Sequence, residues 1–153
     1  MEILDILHPQ CVNLNLKAKT KNELFEEMVD MMAAAGLLTN KKTALAAVKE
    51  REKLMSTGIG DGVAIPHAKC NAAEHLVAAF GRTGTGINYQ SLDDEPVYLI
   101  FLLVTPESES SPHVKALARI SRLLKHKFLR QSLLEAKTAQ EVLDIIRDED
   151  RRI

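Results

Sequence analysis

The chain has 153 residues, 46% of them hydrophobic and 27% charged, with 20 Lys+Arg balanced by 21 Asp+Glu. That length suits one domain, 1–153, with a buried core, and the net charge of −1 argues against a nucleic-acid-binding surface, which carries a basic excess. No apolar run approaches the ~20 residues that cross a bilayer, "MEILDILHPQ" lacks a secretory pattern, and Cys11 and Cys70 form no CxxC pair or disulfide framework, so the expectation is a cytoplasmic protein with reduced thiols and no membrane insertion.

In chain order, "CVNLNL" (Cys11 to Leu16) alternates, with Val12, Leu14 and Leu16 on one face, the period of a half-buried strand. "TKNE" (Thr20 to Glu23) is a capping box opening a helix whose stripe runs through Leu24, Met28 and Met31 or Met32 and whose end is marked by Gly36. Thr39 or Asn40 caps a second helix, with Leu45, Val48, Glu52 and Met55 marking its turns. "HLVAAFGRT" (His75 to Thr83) reads as a buried strand, and "EPVYLIFLLVTPE" (Glu95 to Glu107) as a central strand covered on both faces.

Ser111 is the expected N-cap of the next helix, with Pro112 at its first position and Val114, Leu117, Ile120 or Ser121, and Leu124 on its apolar face. A helix over roughly Phe128 to Ala136 follows, and a second capping box, "TAQE" (Thr138 to Glu141), opens the last, which runs to about Asp148, with the charged end "RDEDRRI" read as a frayed helix or a short tail. Interleaved strands and helices predict a layered α/β domain.

The stretch "STGIGDGVAIPHAK" (Ser56 to Lys69) sets three glycines before Pro66 and His67. It is neither the dinucleotide fingerprint nor a P-loop. The glycines suit either a tight turn with positive φ or a loop whose N–H groups face an anion. His67, Cys70 and His75 match no common zinc spacing, and no Gly-x-Ser-x-Gly elbow is present. His8, His75 and His126 read as surface residues, the last late in a helix. His113 differs: at the second position of a helix, behind the long strand, it meets the positive end of the helix dipole, which disfavours its protonation. A neutral imidazole is a competent nucleophile towards a phosphoryl group, and Arg51 offers a guanidinium fork for phosphate oxygens, although an ordinary surface arginine would look the same in sequence.

"REKLMSTGIGDGVAIPHAK", with "LDDEPVYLIFLLVTPE" and the His-x-x-x-Leu of "HVKAL", resembles the signature of the fructose–mannitol-type enzyme IIA proteins of the bacterial phosphoenolpyruvate-dependent phosphotransferase system. The resemblance covers essentially the whole chain. It implies one α/β domain with a mixed sheet between helix layers and no cofactor. It implies that His67 accepts a phosphoryl group, as tele-phosphohistidine, from the histidine-containing phosphocarrier protein or a paralogue of it, with His113 and Arg51 beside it. Ser56, Thr57, Gly58, Gly60 and Gly62 would form a phosphate-binding loop, and the carboxylate of Asp61 would point away from the phosphohistidine. The free-standing chain resembles the nitrogen-regulatory branch, whose targets are regulatory proteins. The alternative is a sugar-specific IIA that hands the group to a IIB domain.

Overall fold

Six strands, β1 (Leu7–Asn13), β2 (Gly58–Gly60), β3 (Val63–Ala64), β4 (His67–Lys69), β5 (Val77–Ile87) and β6 (Val97–Thr105), form one mixed sheet in the computed structural model, which describes residues 1–153. The order is β1-β5-β6-β3-β2, with β4 also paired to β6. β5 runs antiparallel to β6, whereas β3 and β4 both lie parallel to it along its other edge. Five helices cover the sheet: α1 (Lys21–Ala34), α2 (Lys41–Leu54), α3 (Ser110–Leu123), α4 (Lys127–Glu135) and α5 (Ala139–Arg152). No helix is long and apolar enough to cross a membrane.

The long apolar run is the central strand its composition predicts. Successive side chains of a strand point to opposite faces, so Ile100, Leu102 and Val104 enter the core beneath α1 and α2, while Leu99, Phe101 and Leu103 enter the core beneath α3, α4 and α5. Two apolar layers on one sheet make the three-layer α/β/α arrangement.

Both capping boxes form, each in a shifted version. Thr20 Oγ1 accepts from the Glu23 N–H (3.2 Å), but the Glu23 carboxylate reaches back to the Lys19 N–H (2.8 Å), one residue before the cap. Thr138 and Glu141 repeat this, with Lys137 as the outer donor. Asn40 rather than Thr39 caps α2, and Gly36 follows α1 with φ of 77°. On α2 the buried stripe is Ala44, Val48 and Glu52, and Met55 is exposed.

Four sequence expectations are corrected. β1 covers Leu7–Asn13, not Cys11 to Leu16, because Asn13 Oδ1 accepts from the Asn15 N–H (2.9 Å) and turns the chain out of the sheet. α3 begins at Ser110 with Glu109 as N-cap, so Pro112 is its third residue and His113 its fourth. Its buried face is His113, Ala116, Ile120 and Leu123, and Val114 is exposed: a histidine holds the place that an apolar residue was expected to hold. His126 is the N-cap of α4, not a late helix residue.

The fourth correction is the end of the last helix, expected near Asp148. α5 continues to Arg152 because Asp150, one turn beyond Ile146 on the inner face, is buried at 1% exposure and finds partners there. Its carboxylate accepts from the Ile3 N–H (2.8 Å) and from Arg119 Nε and Nη2 (2.9 and 2.6 Å). Arg119 thus holds Oδ1 through two nitrogens while Ile3 holds Oδ2, which joins the N-terminus, α3 and α5. Removing one partner from such a buried pair leaves groups unsatisfied. Asp150→Ala is therefore expected to lower unfolding stability by about 2–4 kcal/mol in urea titrations, with Asp148→Ala, which is exposed, close to neutral.

Candidate functional site

Along one edge of β6 the chain pairs twice. Val63 and Ala64 lie opposite Leu99 and Ile100, and His67, Ala68 and Lys69 lie opposite Leu103, Val104 and Thr105. Between them Pro66 gives β6 no N–H, but its carbonyl accepts from the Leu103 N–H (3.0 Å) and the register continues. Ile65 therefore faces away from β6 and gives its N–H to the Thr57 carbonyl (3.0 Å). Its carbonyl, on that same side, meets the imidazole two residues on: His67 Nδ1 lies 2.8 Å from it. A carbonyl oxygen only accepts, so Nδ1 carries the proton and Nε2 keeps its lone pair.

β4 and the buried face of α3 bring His67 and His113 together, with ring centroids 5.4 Å apart and planes tilted by 59°. His113 Nδ1 is 2.6 Å from Thr105 Oγ1 at the end of β6, which fixes the ring. Arg51 joins them from the last turn of α2, where its Nη1 donates to the Met55 carbonyl (3.1 Å). The three border one cleft of about 390 Å³, shared with Glu50, Leu54 and Lys69. A larger cleft of about 470 Å³ between α1 and α2 contains no histidine, and its lysines are paired: Lys21 with Glu52, Lys49 with Glu26, Lys53 with Glu50.

Burial sets the protonation of both rings. It holds His67 below the ordinary value of 6.5, helped by the Arg51 charge and opposed by the Ile65 hydrogen bond and the Glu52 charge. His113 is pushed down to about 4, first by burial and then by His67 and Lys69. Both imidazoles are neutral at pH 7, facing a cleft whose cations are Arg51 and Lys69. That arrangement can attract an anion and offer it a nitrogen lone pair.

The expected phosphate-binding loop is not part of this wall. Gly58 and Gly60 lie in β2, and Gly60, Asp61 and Gly62 make the turn into β3 with φ of 95°, 57° and 77°. None of Ser56, Thr57, Gly58, Gly60 or Gly62 borders the cleft. Several donors there are already engaged: the Thr57 N–H by Glu52, the Gly58 N–H by Ser56 Oγ, the Asp61 N–H by Asp93. The stretch is a tightly pinned hairpin, because a strand that must approach Ser91 closely has room only for glycine at 58: a Cβ there would lie 2.4 Å from Ser91 Oγ. Asp61 exposes its side chain and lies 3.9 Å from Arg130 on α4. Cys70 is buried in the α1–α2 core, and His75 is exposed beside Glu109, so neither reaches the cleft.

Sequence reasoning missed Lys69. Strand alternation carries the signal, since His67 and Lys69 share one face of β4. Lys69 Nζ reaches Ser110 Oγ (3.4 Å), linking β4 to the start of α3.

The depressed His113 value makes stability depend on pH. The unfolded chain binds the proton near 6.5 and the folded protein only near 4. Stability from this group is therefore complete above about pH 6.5 and falls as pH drops towards 4, by about 3 kcal/mol in all. Urea unfolding at pH 7, 5.5 and 4 checks it: His113→Gln is expected to flatten the pH dependence in that window.

Comparison with known proteins adds the following. The family model described as "Phosphoenolpyruvate-dependent sugar phosphotransferase system, EIIA 2" matches residues 5–149. The chain is 38% identical over 151 residues to the PTS system fructose-specific EIIABC component of Bacillus subtilis, which covers 99% of this chain but spans only 24% of that protein. It is 36% identical to the nitrogen regulatory protein of Bradyrhizobium diazoefficiens, over 95% of each chain. It is 35% identical to the PTS system fructose-specific EIIA component of Haloferax volcanii, over 95% of this chain and 97% of that one. The crystal structure of the nitrogen regulatory protein IIA-Ntr from Neisseria meningitidis superimposes with a TM-score of 0.86 at 32% identity, over 93% and 97% of the two chains. The mannitol enzyme IIA in its complex with phosphorylated enzyme IIB from Escherichia coli shares the fold, with a TM-score of 0.79 at 18% identity over 92% and 98%. With a family model matched across nearly its whole length, the chain belongs to the EIIA 2 family of the phosphoenolpyruvate-dependent sugar phosphotransferase system.

Proposed function

We propose that the chain is a phosphohistidine carrier in which Nε2 of His67 accepts a phosphoryl group from a histidine-containing phosphocarrier protein. The observation that carries this reading is the bond from His67 Nδ1 to the Ile65 carbonyl, which leaves Nε2 as the nucleophile. The Nε2 lone pair forms the new N–P bond as the donor's N–P bond breaks, and that electron pair returns to the donor's ring. His113 and Arg51 meet the phosphoryl oxygens, one as a neutral donor and one as a guanidinium fork. Lys69 adds a second positive charge. The hairpin of Ser56, Thr57, Gly58, Gly60 and Gly62 serves as the frame of the site. An apolar rim suits a protein as donor: Leu54 in the cleft wall is 80% exposed and Val114, next to His113, 62%.

In this reading the 153 residues act as one carrier domain in the cytoplasm, supplied by a phosphoenolpyruvate-fed donor. Its role is regulatory, through phosphorylation-dependent contacts with other proteins. The similarity to IIA-Ntr over nearly the full length of both chains supports that branch. The second reading, a sugar-specific IIA that passes the group to a IIB domain, is supported by the fructose-specific relatives and by the mannitol IIA–IIB complex. Rapid discharge of the phosphorylated protein by a fructose or mannitol IIB domain would establish the sugar branch and sink the regulatory one.

Incubation with phosphoenolpyruvate, enzyme I and the phosphocarrier is expected to add one acid-labile phosphate on Nε2 of His67. His67→Ala should take up none, and continued uptake by that variant would refute the assignment. Arg51→Ala and His113→Ala should each slow uptake by about 10²-fold with the acceptor retained. Arg51→Lys should recover only part of the rate, since an ammonium lacks the fork.

A further inference from the structure

One residue from Arg51 lies a carboxylate that the transfer chemistry above does not use. Glu52 is 8% exposed and continues the stripe of Ala44 and Val48 on the inner side of α2, where an apolar residue would pack without desolvating a charge. Both its oxygens are filled. Oε1 accepts from Thr57 Oγ1 (2.6 Å) and Tyr89 OH (3.2 Å), and Oε2 from the Thr57 N–H (2.9 Å) and Lys21 Nζ (3.0 Å). Four donors on two oxygens are what an acceptor-only group collects.

Those bonds lead towards His67. Thr57, held by Glu52 through both its N–H and its hydroxyl, gives its carbonyl to the Ile65 N–H (3.0 Å). The Ile65 carbonyl in turn accepts the Nδ1–H of His67 (2.8 Å). Consecutive helix residues point about 100° apart, so α2 sends Arg51 to the cleft and Glu52 inward.

We infer that Glu52 is a positioning residue and counter-charge for the ring of His67, acting through Thr57 and Ile65. This rests on the reading of His67 as phosphoryl acceptor. When Nε2 gives its lone pair to phosphorus, the ring keeps its Nδ1 proton and takes on positive charge. The Ile65 carbonyl receives that proton's hydrogen bond, and Glu52 supplies the negative charge that favours a cationic ring, against the opposing effect of Arg51. α2 therefore carries both charges the transfer needs, Arg51 for the phosphoryl oxygens and Glu52 for the imidazolium.

The test compares Glu52→Gln with Glu52→Asp in the full chain. The titration midpoint of His67 is read by ¹⁵N NMR on the unphosphorylated protein, and the initial rate of phosphorylation is followed against pH. Glu52→Gln is expected to lower the midpoint, move the acid limb of the rate profile to lower pH and slow uptake about tenfold, the scale on which outer partners of a functional imidazole act. Glu52→Asp keeps the charge and should recover most of both. An unmoved midpoint in Glu52→Gln, or equal losses in the two variants, overturns the proposal. Should Glu52→Gln fail to fold, Tyr89→Phe removes one donor from the carboxylate and should raise the midpoint, and a midpoint that stays or falls overturns the proposal equally. The midpoint needs no phosphodonor, so a protein that never takes up phosphate would sink the carrier reading while leaving this measurement to stand or fall by itself.

Discussion

The bond between the Ile65 carbonyl and the His67 ring is the constraint on which the site depends. β6 offers one continuous edge, and the chain uses it in two pieces, β3 and β4. Pro66 keeps its place on that edge through its carbonyl, which accepts from the Leu103 N–H (3.0 Å), so Ile65 faces the opposite side. There it gives its N–H to the Thr57 carbonyl, while the Thr57 N–H is held by Glu52. The Ile65 carbonyl selects the tautomer of His67, and that tautomer decides which nitrogen is nucleophilic. The backbone carbonyl thus holds the ring N–H as a carboxylate side chain does in many histidine sites.

Burying two imidazoles in contact is unfavourable for their charged forms, and the fold turns this to use. His113 takes a place on the inner stripe of α3 with its Nδ1 against Thr105, so its neutral form is held rigidly. Two protonated rings at 5.4 Å would repel each other. Two neutral rings flanked by Arg51 and Lys69 give a cleft that is positive overall without either histidine being charged. Stability is given up for this at acid pH, in keeping with the general pattern that functional sites violate the local rules that the rest of a fold obeys.

Much of this was legible in the residues. The continuous run of Val97–Thr105 could only be a strand buried on both faces, and both Thr-x-x-Glu boxes marked helix starts correctly. The three residues expected at the site, His67, His113 and Arg51, do border one cleft. The misses share a cause: a polar side chain in a place where pattern reading looks for an apolar one. His113 occupied a core position of α3, so the stripe was read one residue late through Val114. Asp150 lies in a charged end that reads as a frayed helix or short tail, whereas its inward position and its bond to Arg119 keep α5 helical. The glycine loop is hard to read for a different reason. Three glycines announce unusual backbone, but only tertiary contacts reveal whether their N–H groups face a ligand or the protein's own side chains.

Those contacts also explain why the glycines are needed even though they stand outside the cleft. Gly58 lets β2 press against Ser91 and Tyr89, where any Cβ would collide. That approach brings Tyr89 OH to 2.7 Å from Thr57 Oγ1 and completes the network around Glu52, which borders the α1–α2 cleft at 8% exposure. At the other end of the hairpin, Gly60, Asp61 and Gly62 reverse the chain within one turn, so that β3 begins at the point where Ile65 can meet Thr57. A residue with a larger side chain at 58 would act on His67 without touching it: the hairpin would lift, Thr57 would lose its hold on Ile65, and the carbonyl that fixes the imidazole would drift. The loop is therefore coupled to the chemistry through the backbone it holds in place, and this coupling runs through Glu52, the one buried charge that α2 and the hairpin share.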